Sequence, residues 1–253
     1  MSLPTIQGII KRRVLANYRV DPAVLRPLLP TPFRPKLHHG YAIAGICLFR
    51  LEKIRPRWVP GFMGVSCENA AHRVAVEWDE PDGVREGVYI PRRDTNSLMN
   101  HLAGGRLFPG AQAYADFNVK DEKGFIRFRM RSSDGRVLIE LRGRDAEAMP
   151  PSSCFRSVEE SSRFFECGCT GFSPGKTPGK LDAIRLETKN WRVRPLAVEI
   201  LNSSFFGETS VFPKGSVQFD HALIMRDLKH EWHSEAGIEV RGMKPIEGEV
   251  ARA

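Results

Sequence analysis

The chain has 253 residues, of which 42% are hydrophobic and 27% charged, and this composition excludes a largely disordered protein. No segment approaches the roughly 18–20 apolar residues of a membrane helix, and the first residues do not resemble a signal peptide, so we expect a cytoplasmic protein without a membrane partner. The net charge is +8, but the arginines are interleaved with acidic and apolar residues. The charge alone therefore does not indicate a nucleic-acid partner.

Proline and glycine separate many short elements, a pattern typical of a strand-rich protein. In the first part of the chain, Asp21 and Pro22 predict the start of a short helix, and Pro81-Asp82-Gly83 predicts a hairpin turn. A further helix is expected to begin at Asp94 as its cap and to end at Gly104-Gly105. The predicted strands of this part cover residues 14–20, 40–54, 63–80 and 83–91.

The second part predicts three strands between residues 112 and 144, joined by turns at Glu122-Lys123-Gly124 and Asp134-Gly135. Within them Arg127, Arg129 and Arg131 alternate with apolar residues, so they share one face of a strand. That face is expected to be solvated or ion-paired, with a basic ligand-binding stripe as the alternative.

A capping box, Ser157 with Glu160, predicts a helix that ends at Gly168, and residues 171–180 predict a loop or mobile lid. The remainder is strand-rich up to Gly242. These elements predict an α+β protein that is mainly antiparallel β, with a sheet that closes on itself. We expect one domain over residues 1–242 and a disordered tail over residues 243–253.

Motifs for metals and cofactors are weak in this chain. Cys167-Gly-Cys169 lacks the spacing and number of ligands of a zinc site, and the odd number of cysteines, five, predicts reduced thiols. The pair His230 and His233 is not part of an HExxH motif, and no phosphate-binding glycine loop or nucleophile elbow is present. The sequence therefore predicts neither a metal nor a cofactor, and Asp220-His221 is interpreted as a structural pair.

Three residues are stronger candidates for a ligand pocket. Glu68 lies within an otherwise apolar strand, where a carboxylate needs either a charged partner or a polar cavity. Arg73 follows on the same strand, and His101 lies on the polar side of the helix expected between residues 94 and 105. Glu68 is open to a second interpretation as a satisfied buried carboxylate, and His101 as a surface or capped histidine.

Four stretches resemble acetoacetate decarboxylase in the same order, and together they span about residues 12–230. The segment "CENAA" places Glu68 where that family carries an active-site glutamate. The segment "GGRLF" matches a Gly-Arg segment of the family at Gly105 and Arg106, with Leu107 in place of an acid. The other two stretches are "YRVDPAVLRPLLPTPFRP" (18–35) and "FDHALIMRDL" (219–228). The closer likeness is to the uncharacterised bacterial relatives of the enzyme.

The resemblance implies a closed, cone-like β-barrel with a few short helices at its rim, an internal cavity and a homo-oligomer. It also exposes a difference, because acetoacetate decarboxylase acts through a Schiff-base lysine whose pKa is depressed. The corresponding positions here are Gln112, Ala113 and Tyr114, none of which can form an iminium. Lys120 and Lys123 lie more than about 20 Å further along an extended strand.

Three hypotheses follow. The first is a protein that binds a small organic acid or hydrophobic carbonyl compound, with Glu68 as acid/base and with Arg106, Arg73, Arg92 and His101 as ligand-binding residues. Any catalysis would then be a lyase-like reaction on a keto acid without the usual lysine. The second is a decarboxylase or aldolase with a relocated lysine. The third is a basic structural or nucleic-acid-associated protein, which only the net charge suggests.

Overall fold

The computed structural model describes residues 4–98, 101, 110–175 and 177–242. Within these ranges the chain is mostly strand, and the described helices are short. The helices are α1 (Pro22–Leu25) and α2 (Val158–Glu166), with single 3-10 turns at Arg26–Leu28 and Gly61–Met63. The strands are β1 (Ile6–Val20), β2 (Arg34–Pro35), β3 (Leu37–His38), β4 (Tyr41–Pro56), β5 (Val65–Glu80), β6 (Gly83–Thr95), β7 (Ala113–Glu122), β8 (Phe125–Ser132), β9 (Leu138–Asp145), β10 (Thr170–Pro174), β11 (Lys180–Thr188), β12 (Arg194–Ser203) and β13 (Val217–Glu239).

These strands form one mixed sheet that is mainly antiparallel, with parallel pairs only where β6 meets β7 and β10 among the described strands. The sheet returns on itself, because β11 pairs with both β10 and β13 and because β6 also pairs with β5. Ring-like closure leaves few free edges, as the sequence predicts. No helix among the described residues has the length and hydropathy of a membrane span.

Strands β1, β4 and β5 form the centre of the sheet and are buried on both faces. On one face, alternate side chains such as Val14, Ile46 and Val74 belong to a core cluster shared with β8 and β9. On the other face, the intervening side chains Leu15 and Cys47 belong to a second cluster that packs against α2. The continuous apolar run of β4 therefore reflects burial on two sides.

Most local signals in the sequence are confirmed. Asp21 Oδ1 accepts a hydrogen bond from the backbone N–H of Ala23 at 2.8 Å, and Ser157 Oγ accepts one from the N–H of Glu160 at 3.2 Å. The hairpins at 81–83, 122–124 and 134–135 form where they are predicted. The face of Arg127, Arg129 and Arg131 is exposed, and Arg129 pairs with Glu140.

Two predictions are wrong. Asp94 is not a helix cap but lies inside β6, where its carboxylate accepts hydrogen bonds from Arg92. Residues 171–180 do not form a loop throughout, because β10 pairs in parallel with β6 and antiparallel with β11. Most of the predicted helix at 94–105 and the predicted tail at 243–253 lie outside the described residues.

Candidate functional site

A cavity of about 110 Å³ lies between the sheet and α2, on the face of the second core cluster. Strands β1, β4, β5 and β6 supply one wall, and α2 with parts of β10, β11 and β13 supplies the rest. The lining is mainly apolar and contains five aromatic residues, Phe49, Phe164, Phe165, Trp191 and Trp232. Such a cavity with a few polar groups is the usual form of a small-molecule site.

Arg13 reaches this cavity because β1 contains a β-bulge. The pairing of β1 with β4 shifts at Lys11, so one extra residue interrupts the alternation of the side chains. Ile10 and Arg13 consequently both line the cavity, whereas Arg12 is directed to the opposite face.

Arg93 reaches the cavity because β6 also contains a β-bulge. The pairing with β5 shifts between Tyr89 and Arg92, where β6 carries one residue more than its partner. As a result Ile90 and Arg93 line the cavity, while Arg92 forms ion pairs with Asp94 outside it. In both Arg-Arg pairs, 12–13 and 92–93, the second arginine therefore lines the cavity.

Arg73, on β5, is the third arginine of the cavity, and its position depends on a glycine. Gly45 of β4 pairs with Asn17 of β1 on one side and with Arg73 on the other. Without a side chain at residue 45, Arg73 extends over β4 and donates a hydrogen bond to Asn17 Oδ1. Its guanidinium also lies 4.6 Å from the ring centroid of Phe165, within the range of a cation–π contact.

A buried hydrogen-bond chain continues from Asn17 into β13. Asn17 Nδ2 donates to His221 Nε2 at 3.1 Å, and His221 Nδ1 donates to Asp220 Oδ2 at 2.6 Å. Ser161 Oγ of α2 also donates to His221 Nε2, at 2.8 Å. Because Arg73 can only donate, this network fixes the amide of Asn17 and the neutral Nδ1–H tautomer of His221. Burial lowers the pKa of His221, although Asp220 opposes this shift, in agreement with a neutral ring.

The three cavity arginines form no ion pair with a carboxylate among the described residues. Arg13 donates to Cys47 Sγ at 3.2 Å and Arg93 donates to Ser173 Oγ at 2.9 Å. Arg13 Nη1 and Arg73 Nε are buried without a hydrogen-bond partner. Burial lowers the pKa of Arg73 and of Arg93 to about 10, so both remain charged at neutral pH. The cavity therefore holds positive charge that the surrounding protein leaves unbalanced.

A lysine also lines the cavity. Lys36 Nζ forms an ion pair with Glu86 at 2.5 Å and lies 4.4 Å from the ring centroid of Phe164. Glu86 is the one carboxylate among the described lining residues. Lys36 and Glu86 balance each other, so the net charge of the lining comes from the three arginines.

A smaller cavity of about 30 Å³ adjoins the first and shares Phe49, Arg93, Ile184 and Trp232 with it. Its other polar lining residues are Asn69, Asp94 and Gln112. Gln112, one of the three residues that the resemblance predicts at the lysine positions, is thus adjacent to the arginine-lined space. Lys120 and Lys123 line neither cavity.

Glu68 lies on the opposite face of β5 from the cavity lining. Ala71, Arg73 and Ala75 line the arginine-lined cavity. Because side chains alternate along a strand, Glu68 points to the other side of β5. Its carboxylate pairs with Arg12 at 2.5 Å and with Arg50 at 3.4 Å. The acid/base role of Glu68 stays a prediction, and the geometry shows a buried ion pair around it.

The other predicted ligand-binding residues are separated from one another. Arg92 is buried between Asp94 and Asp134, with Nη2 within 3.1 Å of each carboxylate. His101 is exposed, with Nδ1 2.8 Å from the carbonyl oxygen of Gln112. Arg106 lies outside the described residues. Among the described members of this set, Arg73 is the one that lines the arginine-lined cavity.

The weak motifs of the sequence lie in different environments. Cys167 is exposed, Cys169 lines the cavity, and both are free thiols. His230 is buried and His233 lies near Glu187 and Glu231. None of these four belongs to the one group among the described residues whose side chains could jointly hold a metal ion.

Arg13, Arg93 and Lys36 were not singled out from the sequence. The Arg-Arg pairs at 12–13 and 92–93 were the available signal, since only one residue of a pair can face a given side of a strand. Which one does so depends on the bulges, and these are set by pairing between distant strands.

Comparison with solved structures shows the fold. Acetoacetate decarboxylase from Legionella pneumophila superposes with a TM-score of 0.61 at 12% identity, over 94% of this chain and 89% of that chain. An acetoacetate decarboxylase-like enzyme from Sphingomonas wittichii RW1 gives a TM-score of 0.59 at 12% identity, over 93% of each chain. The enduracididine biosynthesis enzyme MppR, in complex with pyruvate, gives 0.58 at 11% identity, over 94% of this chain and 91% of that chain.

At this identity the likeness establishes an acetoacetate decarboxylase-like fold. A search of curated proteins finds no match to the chain. A family model described as an uncharacterized conserved protein matches residues 10–220, which include the cavity arginines and Asn17 but end one residue before His221. The chain therefore belongs to the DUF2071 family.

Proposed function

We propose that the protein binds a small organic acid, such as a keto acid, in the arginine-lined cavity and does not use a Schiff-base lysine. The observation that carries the proposal is a set of three arginines, Arg13, Arg73 and Arg93, in a largely apolar cavity, without carboxylate partners in the part of the chain that the structure describes. Buried charge without a partner is costly, and an anionic ligand would balance it.

The chemistry of the wall indicates the ligand class. Guanidinium groups bind a carboxylate through two parallel hydrogen bonds, and this pairing is strong where water is excluded. Aromatic side chains of α2 and β13 supply an apolar surface for the remainder of the ligand. MppR, which shares the fold, binds pyruvate, and this supports a compound of similar size and charge here. A hydrophobic carbonyl compound carrying an acid group fits the same description.

Gln112 supports the absence of the usual iminium chemistry, since it lies beside the cavity at a position expected for the lysine. The closed, cone-like barrel around the cavity, a cytoplasmic location and a homo-oligomer are further parts of the proposal that the resemblance implies. Glu68 as acid/base, with Arg92, His101 and Arg106 as ligand-binding residues, also stay proposals. Arg73 is the residue to which we assign the main ligand contact.

Binding of pyruvate measured by isothermal titration calorimetry tests the proposal, with methyl pyruvate as the ligand that lacks a carboxylate. We expect saturable pyruvate binding and at least tenfold weaker binding of the ester. Arg73→Met and Arg93→Met should each weaken pyruvate binding about tenfold or more, which corresponds to about 1.4 kcal/mol. Arg127→Met, on the exposed face of β8, is the matched control. Equal affinity for acid and ester, or unaffected variants, would contradict the proposal.

The second hypothesis, a relocated Schiff-base lysine, points to Lys36, because it is the one lysine among the described residues that line the arginine-lined cavity. Its Nζ is engaged in the ion pair with Glu86 at 2.5 Å and would have to leave that contact to attack a carbonyl compound. Borohydride reduction in the presence of pyruvate or acetoacetate should therefore leave no covalent adduct detectable by mass spectrometry. An adduct that is lost in Lys36→Arg would establish Lys36 as a relocated Schiff-base lysine.

A further inference from the structure

Two adjacent histidines and a glutamate lie close together between the β3–β4 turn and α2, at a place that does not include the three arginines of the cavity. His39 Nε2 lies 3.5 Å and His38 Nε2 lies 3.7 Å from the same oxygen, Glu160 Oε1. The ligand atoms of all three residues lie within 4.8 Å of one another. We propose that His38, His39 and Glu160 form a binding site for a divalent transition-metal ion of the zinc class.

The turn between β3 and β4 explains how two neighbouring histidines serve one site. His39 and Gly40 have φ values of 46° and 85°, so both are in the left-handed region, as in a two-residue turn of a hairpin. The change of direction directs the His39 ring beside that of His38, with the centroids 4.4 Å apart at 77°. In a regular strand the two side chains would point to opposite faces.

His38 is oriented as metal-binding histidines usually are. Its ring stacks on Phe155, with the centroids 3.9 Å apart and the planes inclined by 11°. The backbone of Cys154 hydrogen-bonds the ring, while Nε2 is buried without a hydrogen-bond partner. The bonded nitrogen is therefore Nδ1, and Nε2 lies 3.7 Å from Glu160 Oε1.

Glu160 is held in place through its second oxygen. The backbone N–H of Arg156 donates to Glu160 Oε2 at 2.6 Å, and this leaves Oε1 directed at both histidines. The residue lies in the first turn of α2, whose start Ser157 caps. All three donors are thus positioned by backbone contacts or by ring stacking, and long flexible side chains play no part.

The separations suit a tetrahedral ion. With metal–nitrogen and metal–oxygen bonds of about 2.1 Å, neighbouring ligand atoms of a tetrahedral site lie about 3.4 Å apart. The two nitrogen–oxygen separations of 3.5 and 3.7 Å need adjustments of only a few tenths of an ångström, and all three ligand atoms lie within 4.8 Å of one another. Two imidazoles and one carboxylate favour zinc and similar ions over calcium or magnesium, which prefer oxygen ligands. The half-exposed side chain of His39 leaves room for water as a fourth ligand.

The site is linked to the cavity by α2 and does not depend on what the cavity binds. Phe164 and Phe165 line the cavity, and Phe164 also contacts the His38 ring. A bound ion would cross-link the β3–β4 turn to α2 and so fix one wall of the cavity.

Competition between the metal-free protein and a chromogenic zinc indicator tests the site. We expect one zinc ion per chain with micromolar or tighter affinity, and visible absorption typical of tetrahedral cobalt when Co²⁺ is used. His39→Asn should weaken zinc binding at least tenfold, and asparagine tolerates the left-handed backbone at this position. Glu160→Gln should weaken it similarly, and it retains an oxygen that can accept from Arg156.

His233→Asn is the control, because it removes one imidazole at a position outside the group. It should bind zinc like the unmodified protein. Circular dichroism of His39→Asn and Glu160→Gln should show the native spectrum, and if one variant is unfolded the other still decides the question. Less than one equivalent of zinc, or equal affinity in His39→Asn and the unmodified protein, would overturn the proposal. Pyruvate binding is measured separately, so failure of either proposal leaves the other intact.

Discussion

Arg73 donates a hydrogen bond to Asn17 across an intervening strand, and it can do so because Gly45 leaves the space between them open. A Cβ atom at residue 45 would lie 3.4 Å from Arg73 Nη2 and 2.4 Å from the carbonyl oxygen of Ala16. The position of the buried guanidinium is therefore determined by two residues that carry no charge.

The neutral side chain of Asn17 is expected to leave the charge of Arg73 available to the ligand. Asn17→Asp would place a carboxylate against Arg73, and the resulting pair would neutralise one of the three cavity arginines. We expect pyruvate affinity to fall about tenfold in titration calorimetry. Asn118→Asp makes the same change at an exposed position of β7 and should have no effect. If both variants bind pyruvate equally, Arg73 does not contact the ligand.

Gly45→Ala tests the steric part of this relationship. The new methyl group would meet the backbone of Ala16 at 2.4 Å, which requires the strands to move apart. We expect the free energy of unfolding to fall by about 2 kcal/mol in urea denaturation. Gly61→Ala is the control, since its nearest neighbours are side-chain atoms of Arg55 at 3.6 Å and beyond. Comparable stability of the two variants would show that the strands adjust freely.

Glu68→Gln separates two roles for this residue. The substitution leaves Arg12 buried without its carboxylate, and removing one partner of a buried ion pair costs about 3–5 kcal/mol. From the geometry we expect a large loss of stability in chemical denaturation. Glu140→Gln, which removes the partner of the exposed Arg129, should cost at most about 1 kcal/mol. A stable Glu68→Gln protein with impaired pyruvate binding would instead support the role predicted from the sequence.

The buried His72 predicts a loss of stability at acid pH. Its ring stacks on Phe205, neither nitrogen has a hydrogen-bond partner, and burial, with the charge of Arg92, lowers its pKa to about 3. An unfolded chain binds this proton near pH 6.5, so stability falls with decreasing pH between about 6.5 and 3, by up to about 1.4 kcal/mol per pH unit. His72→Phe should flatten the pH dependence of unfolding between about pH 6.5 and 5.

The exposed His101 provides the comparison, and His101→Gln should keep the slope of the unmodified protein. An unchanged slope in His72→Phe would mean that other groups, such as the buried His230 with its pKa lowered to about 4, account for the pH dependence.

Local signals predicted much of the fold. Caps such as Asp21 and the glycine turns depend on residues close in sequence, so the patterns that identify them are short. Pairing of β10 with β6 could not be foreseen, because residues 170–174 form a strand through partners far along the chain. Asp94 resembled a cap, and the nearby guanidinium of Arg92 keeps it in a strand instead.

The candidate site was foreseen less well. Glu68 was identified because a carboxylate in an apolar strand needs a partner or a polar cavity, and in the structure it has a partner, Arg12. Arg73 was identified as a charged residue on the same strand, and it lines the cavity. His38 and His39 gave no motif, since their third partner lies on a helix far along the chain.

The bulge at Lys11 has a consequence for variation among related chains. Deleting this one residue would remove the bulge and leave Ile10, Arg12 and Arg13 on the sides that they occupy now, because Ile10 and Arg13 would then be two residues apart. A deletion at a paired position of the same strand would instead exchange the sides of the residues beyond it. Alignments of the family should therefore distinguish a gap at Lys11, which keeps the cavity lining, from a gap elsewhere in β1, which changes it.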